Sequence, residues 1–272
     1  MKQTRRTLLA GLLLSAFALT ACGKKAEAPA EQAASSAPAQ ATAAAKEYLV
    51  GSDASYAPFE FLNDKKEVQG FDVEVLTAAA EKGGFKVKFV NTPWEGMFAT
   101  LDQGDRDLLA SAITITDERK KNMDFSDPYF EARQLIAVGK NVTDVKTFQD
   151  LKNKKVAVQT GTTGDEVVQK LLGKTNPNIK RFESMPLALK ELENGGVDAA
   201  VGDNGVVSNY VINNPQNGLA TVEDTKSFAP EYYGFAAKKG NAEVLAKVNA
   251  GLKAIKADGT YDAIYKKYFA KK

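Results

Sequence analysis

The sequence predicts an α/β protein of two similar lobes with a cleft between them. Strand-like and helix-like stretches alternate from about residue 47 to the end, which implies a parallel or mixed sheet covered by helices. Glycines close most of the helical stretches, as expected where a chain needs a left-handed stop. The alternation runs through residues 48–138 and again through 155–237, and a late helical stretch returns afterwards. No clear internal repeat accompanies it, so the two lobes are an architectural expectation.

Taken in order, residues 48–50 are a short apolar run ending at Gly51, Ser52 and Asp53. Residues 56–62 follow, with a polar turn over 63–66. Phe71, Val75, Ala78 and Ala79 then recur at helical spacing before Gly83 and Gly84. Residues 85–90 alternate as a strand does. Residues 93–103 read as a helix with Met97, Phe98 and Leu101 inward and Gly104 as its stop. Residues 108–113 are a buried apolar run that reads as a strand, turning polar at Thr114 and Thr116. Thr116 ahead of Glu118 and Arg119 marks a capped helix start.

Residues 133–138 are apolar again, and 139–144 read as a boundary. In the second set, 155–158 and 179–182 are strands. Between them a loop leads into a helix that Gly173 stops. Ser184 caps a further helix, which Gly195 and Gly196 end. Residues 198–201 form a strand running into Gly202, Asp203 and Asn204. After the apolar run 232–237 come two helices, over 243–257 and 261–269.

Composition narrows the chemistry. The 272 residues are 44% hydrophobic and 26% charged, ordinary for a globular protein. There is no histidine, which removes histidine triads, histidine–zinc sites and the commonest general base. One cysteine, Cys22, excludes an internal disulfide, a redox pair and a cysteine-rich metal site. No phosphate-loop or dinucleotide fingerprint is present. No metal site and no cofactor is expected, and any acid–base group would have to be Asp or Glu. Without Lys2, Arg5 and Arg6 the balance is 33 basic against 34 acidic residues, a net of −1 with no polybasic stripe. No nucleic-acid partner is expected.

Residues 1–21 show a basic start, an apolar core from Leu8 to Leu19 and then small residues. This is a secretory signal, too short to span a membrane. Leu19, Thr20, Ala21 and Cys22 resemble the bacterial lipobox. That resemblance implies that Cys22 becomes the lipidated first residue, diacylated and N-acylated, palmitate being an expected acyl chain. Residues 23–46 are rich in Ala, Pro, Glu, Gln and Ser, without an aromatic or large aliphatic residue. They bury too little surface to offset ordering entropy and read as a flexible tether. The folded body is expected to face the periplasm, anchored to the inner or outer membrane. Gly23 after Cys22 leaves sorting to the outer membrane open.

Residues 111–130 carry the central candidate chemistry. Ligands in open α/β sheets sit outside the carboxyl ends of strands. This segment places two hydroxyls, backbone N–H groups and the Arg119 guanidinium at such an edge. Arginine there can hold a carboxylate through two parallel hydrogen bonds.

Seven motifs in order, beginning at Asp53, Gly70, Ala112, Asp124, Val156, Gly202 and Gly259, closely resemble the polar amino-acid-binding proteins of bacterial ABC importers, extracellular solute-binding family 3. Among them are 53-DASYAPFEF-61, 112-AITITDER-119 and 156-VAVQTGTT-163. The resemblance spans about residues 47–270. It implies the periplasmic-binding-protein type II fold, a two-lobed flytrap closing on one free amino acid. Lobe one would be residues 47–131 plus 234–272, and lobe two 134–230. Crossing strands would lie near 130–133 and 229–233. Arg119 would take the ligand α-carboxylate with the N–H groups of Thr114 and Thr163. Asp203, the Thr114 hydroxyl and the Ala112 carbonyl would take the α-ammonium. Tyr56 and Trp94 would sandwich the ligand side chain.

Two aromatic faces beside Asp53 suit a planar cation. The surroundings of Gln159 and Gly202 resemble the arginine-binding members more than the glutamine-binding ones, which typically carry a basic residue and a histidine there. L-arginine is the first expectation, then lysine, ornithine or histidine, with glutamine or cystine behind. The implied role is a monomeric, non-catalytic receptor delivering its ligand to an inner-membrane ABC permease. The alternative is a dehydratase-like enzyme on the same fold, for which Glu60 or Asp165 would be the spare acid. Acids such as Asp165 and Glu166 in a helix's first turn more often complement its dipole.

Overall fold

The computed structural model describes residues 45–270. The signal segment, Cys22 and nearly all of the tether lie outside the described residues. The chain opens with β1 (Glu47–Ser52), followed by a small antiparallel set: β2 (Ser55–Tyr56), β3 (Glu60–Leu62) and β4 (Val68–Gln69). Next come α1 (Phe71–Gly83), β5 (Lys86–Asn91), α2 (Trp94–Gln103), β6 (Leu108–Leu109), α3 (Asp117–Asn122) and β7 (Met123–Phe125). Then β8 (Phe130–Ala132) leads to β9 (Gln134–Val138), β10 (Val156–Gln159), α4 (Thr163–Leu172) and β11 (Ile179–Phe182). After α5 (Met185–Glu193), β12 (Ala199–Asp203), α6 (Asn204–Asn213) and β13 (Ala220–Val222), β14 (Glu231–Tyr233) returns beside β8. The chain closes with β15 (Ala236–Lys238), α7 (Ala242–Ala257) and α8 (Thr260–Phe269).

Two five-stranded sheets result, β5-β1-β6-β15-β7 and β11-β10-β12-β9-β13. In each, the parallel strands are interrupted by one antiparallel strand, β15 in the first and β9 in the second. This is the two-lobed α/β fold that the sequence predicts. Every residue of β9, β10 and β12 is buried, because helices cover both faces of such strands and an unbroken apolar run is needed there. Strands β8 and β14 pair with each other, Phe130 opposite Tyr233, while Tyr233 also bridges Thr114, and they carry the chain from one sheet to the other. Phe59 fixes this crossing: its ring meets Phe130 edge-on at 4.9 Å and Tyr233 at 5.3 Å, an arrangement the ring quadrupoles favour.

Three local expectations are corrected. Residues 108–113 were expected as one strand, yet only Leu108–Leu109 pairs. The chain turns at Ala112, whose φ of 47° is left-handed, and the Ala112 N–H donates to Asp72 instead of a ladder partner. The helix expected from Pro93 breaks in its first turn, at Glu95 and Gly96. Ser184 stands at the N-cap of α5 but makes no side-chain capping bond. A 3-10 turn over Phe148–Asn153, closed by a Thr147–Asp150 capping box, carries no helical periodicity long enough to be read beforehand.

Candidate functional site

The carboxyl ends of both sheets meet around one cavity. Its wall is formed by Asp53, Tyr56, Trp94, Ala112, Thr114, Arg119, Gln159, Thr163 and Asp203, together with Ser111 and Thr162. All nine sequence-derived positions are thus brought together. Asp53 follows β1, Trp94 opens α2, and Ala112 and Thr114 follow β6. Arg119 lies in α3, where the Thr116 hydroxyl accepts its backbone N–H at 3.2 Å. From the second sheet, Gln159 ends β10, Thr163 opens α4 and Asp203 ends β12. The first N–H groups of a helix have no partner within it, so α4 presents donors and a positive dipole end beside the cavity.

Asp203 is buried and held by three neutral donors. Its Oδ2 accepts the hydroxyls of Tyr56 at 3.0 Å and Tyr233 at 2.5 Å, and Oδ1 accepts the Gln134 amide at 2.6 Å. Burial raises its pKa, while these bonds and the Arg119 charge pull the other way. Gly202, just before it, packs under Met185: a Cβ would stand 2.6 Å from the Met185 sulfur, so a side chain there requires Met185 to move.

Arg119 is half-buried. Its Nη1 donates to the Thr114 carbonyl at 2.9 Å, and its guanidinium lies over the rings of Trp94 at 5.3 Å and Phe98 at 5.5 Å. Its partners are a carbonyl and two aromatic faces rather than a carboxylate. Burial lowers its pKa, opposed by Glu166, Asp203 and Glu231. The cavity wall therefore carries one cationic and one anionic side chain, neither of them in an ion pair among the described residues. Isolated buried charges of this kind are costly until paired.

Asp53 is held more loosely. Its carboxylate accepts the Ser55 hydroxyl at 2.9 Å and the Gln159 amide at 3.4 Å, and burial raises its pKa. Tyr56 is buried and spans the cavity through its bond to Asp203, whereas Trp94 is half-buried against Phe98.

Sequence reasoning missed Gln134 and Glu231. Gln134 sits directly opposite Asp203 in the antiparallel β9–β12 pairing. Glu231, on β14, uses one oxygen, Oε2, to accept the Thr114 hydroxyl at 3.1 Å, the Thr163 hydroxyl at 2.8 Å and the Gln134 amide at 3.3 Å. It thereby joins groups from both sides of the cavity, and burial followed by the Asp203 charge raises its pKa. Neither residue belongs to a motif; strand register alone brings them here. Asp165 is turned away by Arg181, whose Nε binds both carboxylate oxygens at 3.0 and 3.1 Å.

Residues 48–271 match the family model of the bacterial extracellular solute-binding proteins, family 3. A probable histidine-binding protein of Neisseria gonorrhoeae is 46% identical over 268 residues, covering 98% of this chain and 96% of its own. ABC transporter arginine-binding protein 1 of Escherichia coli is 34% identical over 83% of this chain and 92% of its own. Among solved structures, the arginine-, lysine-, histidine-binding protein ArtJ of Geobacillus stearothermophilus superposes with a TM-score of 0.79 at 47% identity. It covers 84% of this chain and 96% of its own.

Proposed function

This chain belongs to the bacterial extracellular solute-binding proteins of family 3, and from that premise we propose that it captures a free L-amino acid with a cationic side chain, L-arginine first, and delivers it to an inner-membrane ABC permease. The observation that carries this reading is the presence of Arg119 and Asp203 on one cavity wall, neither in an ion pair among the described residues. A zwitterion supplies both missing charges at once. The α-carboxylate goes to Arg119 and the N–H groups of Thr114 and Thr163. The α-ammonium goes to Asp203, the Thr114 oxygen and the Ala112 carbonyl. Because the Thr114 hydroxyl donates to Glu231, its lone pairs remain free to accept the ammonium.

Residues 47–131 with 234–272 form lobe one in this reading, and 134–230 form lobe two. Arg119 and Asp203 then belong to different lobes, so only the closed form satisfies both ends of the ligand. The cationic side chain runs between Tyr56 and Trp94 toward Asp53 and Gln159. Histidine is the second candidate, supported by the gonococcal relative's name. The protein works without catalysis: Asp165 is committed to Arg181 and Glu60 faces Ser111. Cys22 bears the lipid, the tether reaches from the membrane, and the body acts as a monomer in the periplasm.

A thermal-shift screen of the ligand-stripped protein with the twenty amino acids, ornithine and cystine tests this. A ligand at about 100-fold its Kd adds about 2.7 kcal/mol of stability, so arginine is expected to raise Tm most. No shift with any of them would overturn the reading.

A further inference from the structure

Directly beneath the cavity lie two carboxyl groups that ligand recognition does not use. Glu60 on β3 and Asp72 in the first turn of α1 are both fully buried, at 0% exposure. They are brought close where the Asp72 N–H donates to the Phe59 carbonyl, next to Glu60, and burial followed by the Asp72 charge raises the Glu60 pKa. Gly70 makes that approach possible, since its φ is 138° and a Cβ there would stand 2.1 Å from the Phe59 oxygen. Each carboxyl has one oxygen engaged and one without a partner among the described residues. Glu60 Oε1 accepts the Ser111 hydroxyl at 2.9 Å, leaving Oε2. Asp72 Oδ2 accepts the Ala112 N–H at 2.8 Å and the Tyr129 hydroxyl at 2.5 Å, leaving Oδ1.

Two like charges in contact inside a protein cannot both persist. A proton between the two remaining oxygens resolves both the repulsion and the missing bonds. The donors identify its owner. Asp72 receives a backbone N–H and a phenol, which favour the ionised form, whereas Glu60 receives one hydroxyl. We propose that Glu60 and Asp72 share one proton, carried by Glu60 Oε2 and donated to Asp72 Oδ1, and that this pair is the positioning device for the cavity floor. The deduction rests on the amino-acid-binding reading only for what the floor is for.

The pair completes an unbroken line of hydrogen bonds. The Asp53 N–H donates to Ser111 Oγ at 3.0 Å, and the Ser111 hydroxyl donates to Glu60. Glu60 donates to Asp72, and Asp72 accepts the Ala112 N–H. Both ends of the cavity wall, Asp53 and Ala112, hang on this line. Ala112 needs such a hold, because a left-handed φ is rarely adopted outside glycine, Asn and Asp. Its carbonyl, which the ligand ammonium would use, is aimed by that turn.

The groups facing the pair are acids and phenols. Asp53 and Asp203 add negative field at Glu60, beside the Tyr56 phenol, and Tyr129 and Tyr261 face Asp72. Burial pushes Asp72 up to about 7, and burial with the Asp72 charge pushes Glu60 up. The folded protein thus holds protons that the unfolded chain releases above about pH 4.3. Stability falls as pH rises from there until the pair has lost its last proton. At that point the two carboxylates repel and the floor loosens.

The test compares wild type, Glu60→Gln and Asp72→Ala across pH 5–9 by thermal melting, infrared spectroscopy and arginine calorimetry. The amide introduced by E60Q can accept from Ser111 and donate to Asp72 at every pH. Above about pH 7, where Asp72 is ionised, this variant is therefore expected to lack the protonated-carboxyl band of the wild type and to have a flatter stability profile. Relative to E60Q, wild-type arginine affinity should fall by up to tenfold per pH unit once the pair gives up its last proton; the ligand's own titration cancels in that ratio. D72A, which frees Ala112, should bind about tenfold more weakly at every pH. Superimposable pH profiles and identical infrared bands for wild type and E60Q would overturn the shared proton. If neither binds any amino acid, the receptor reading fails while melting and infrared data still decide the pair.

Discussion

Asp203 and Asp53 are both buried carboxylates on the wall of the same cavity, yet they are held in different ways. Asp203 is gripped by two phenols and an amide at 2.5 to 3.0 Å, from three separate strands. Asp53 leans on a serine two residues away and on a long 3.4 Å contact to Gln159. A carboxylate fixed from three strands suits a group that never varies, such as the α-ammonium of an amino acid. One with loose partners can accommodate side chains of different shape and charge. In the proposed reading, one end of the cavity recognises that the ligand is an amino acid and the other end recognises which one.

The largest expected effect breaks the invariant end. Asp203→Ala or Arg119→Ala leaves one ligand charge buried and unpaired, at a cost of about 2–5 kcal/mol. Calorimetry should then show affinity lost for every amino acid alike. Asp53→Asn sharpens the contrast, weakening arginine about tenfold, as for a lost bond to a charged group, while leaving glutamine unchanged. Equal loss for both ligands would place Asp53 at the wrong end. Glu231→Ala should cost about tenfold through release of the Thr114 and Thr163 hydroxyls. Glu231→Gln, which still offers an oxygen, should cost less.

A pH titration separates the two ends without mutation. Burial raises the Asp53 pKa, and a protonated Asp53 cannot pair with a cation. Arginine affinity should therefore fall relative to glutamine as pH drops through that raised value. The smallest effect belongs to Trp94→Leu, expected to cost arginine about 0.5–2 kcal/mol through the lost aromatic face.

What was legible in the sequence follows a physical division. Helices ending at Gly84, Gly104 and Gly195 were readable because a left-handed residue is a local requirement. Cavity residues such as Thr114, Arg119 and Asp203 were readable because they sit in contiguous motifs at strand ends. Gln134 and Glu231 were not, since each reaches the site through pairing with a distant strand. Ala112 was misread for a related reason. Its neighbours are apolar enough for a strand, but a buried carboxylate 40 residues away takes its N–H. Local chemistry is written in the sequence; cross-strand register is not.

The central claim is that this cavity holds a cationic amino acid by both ends. Its most direct test is calorimetric titration of the ligand-stripped protein with arginine, histidine, lysine, glutamine and cystine. Saturable binding is expected, tightest for arginine, weaker for histidine and lysine, and weakest for glutamine and cystine, whose side chains carry no net charge. Tightest binding of glutamine or cystine would contradict the role given to Asp53, and no heat with any of the five would contradict the receptor itself.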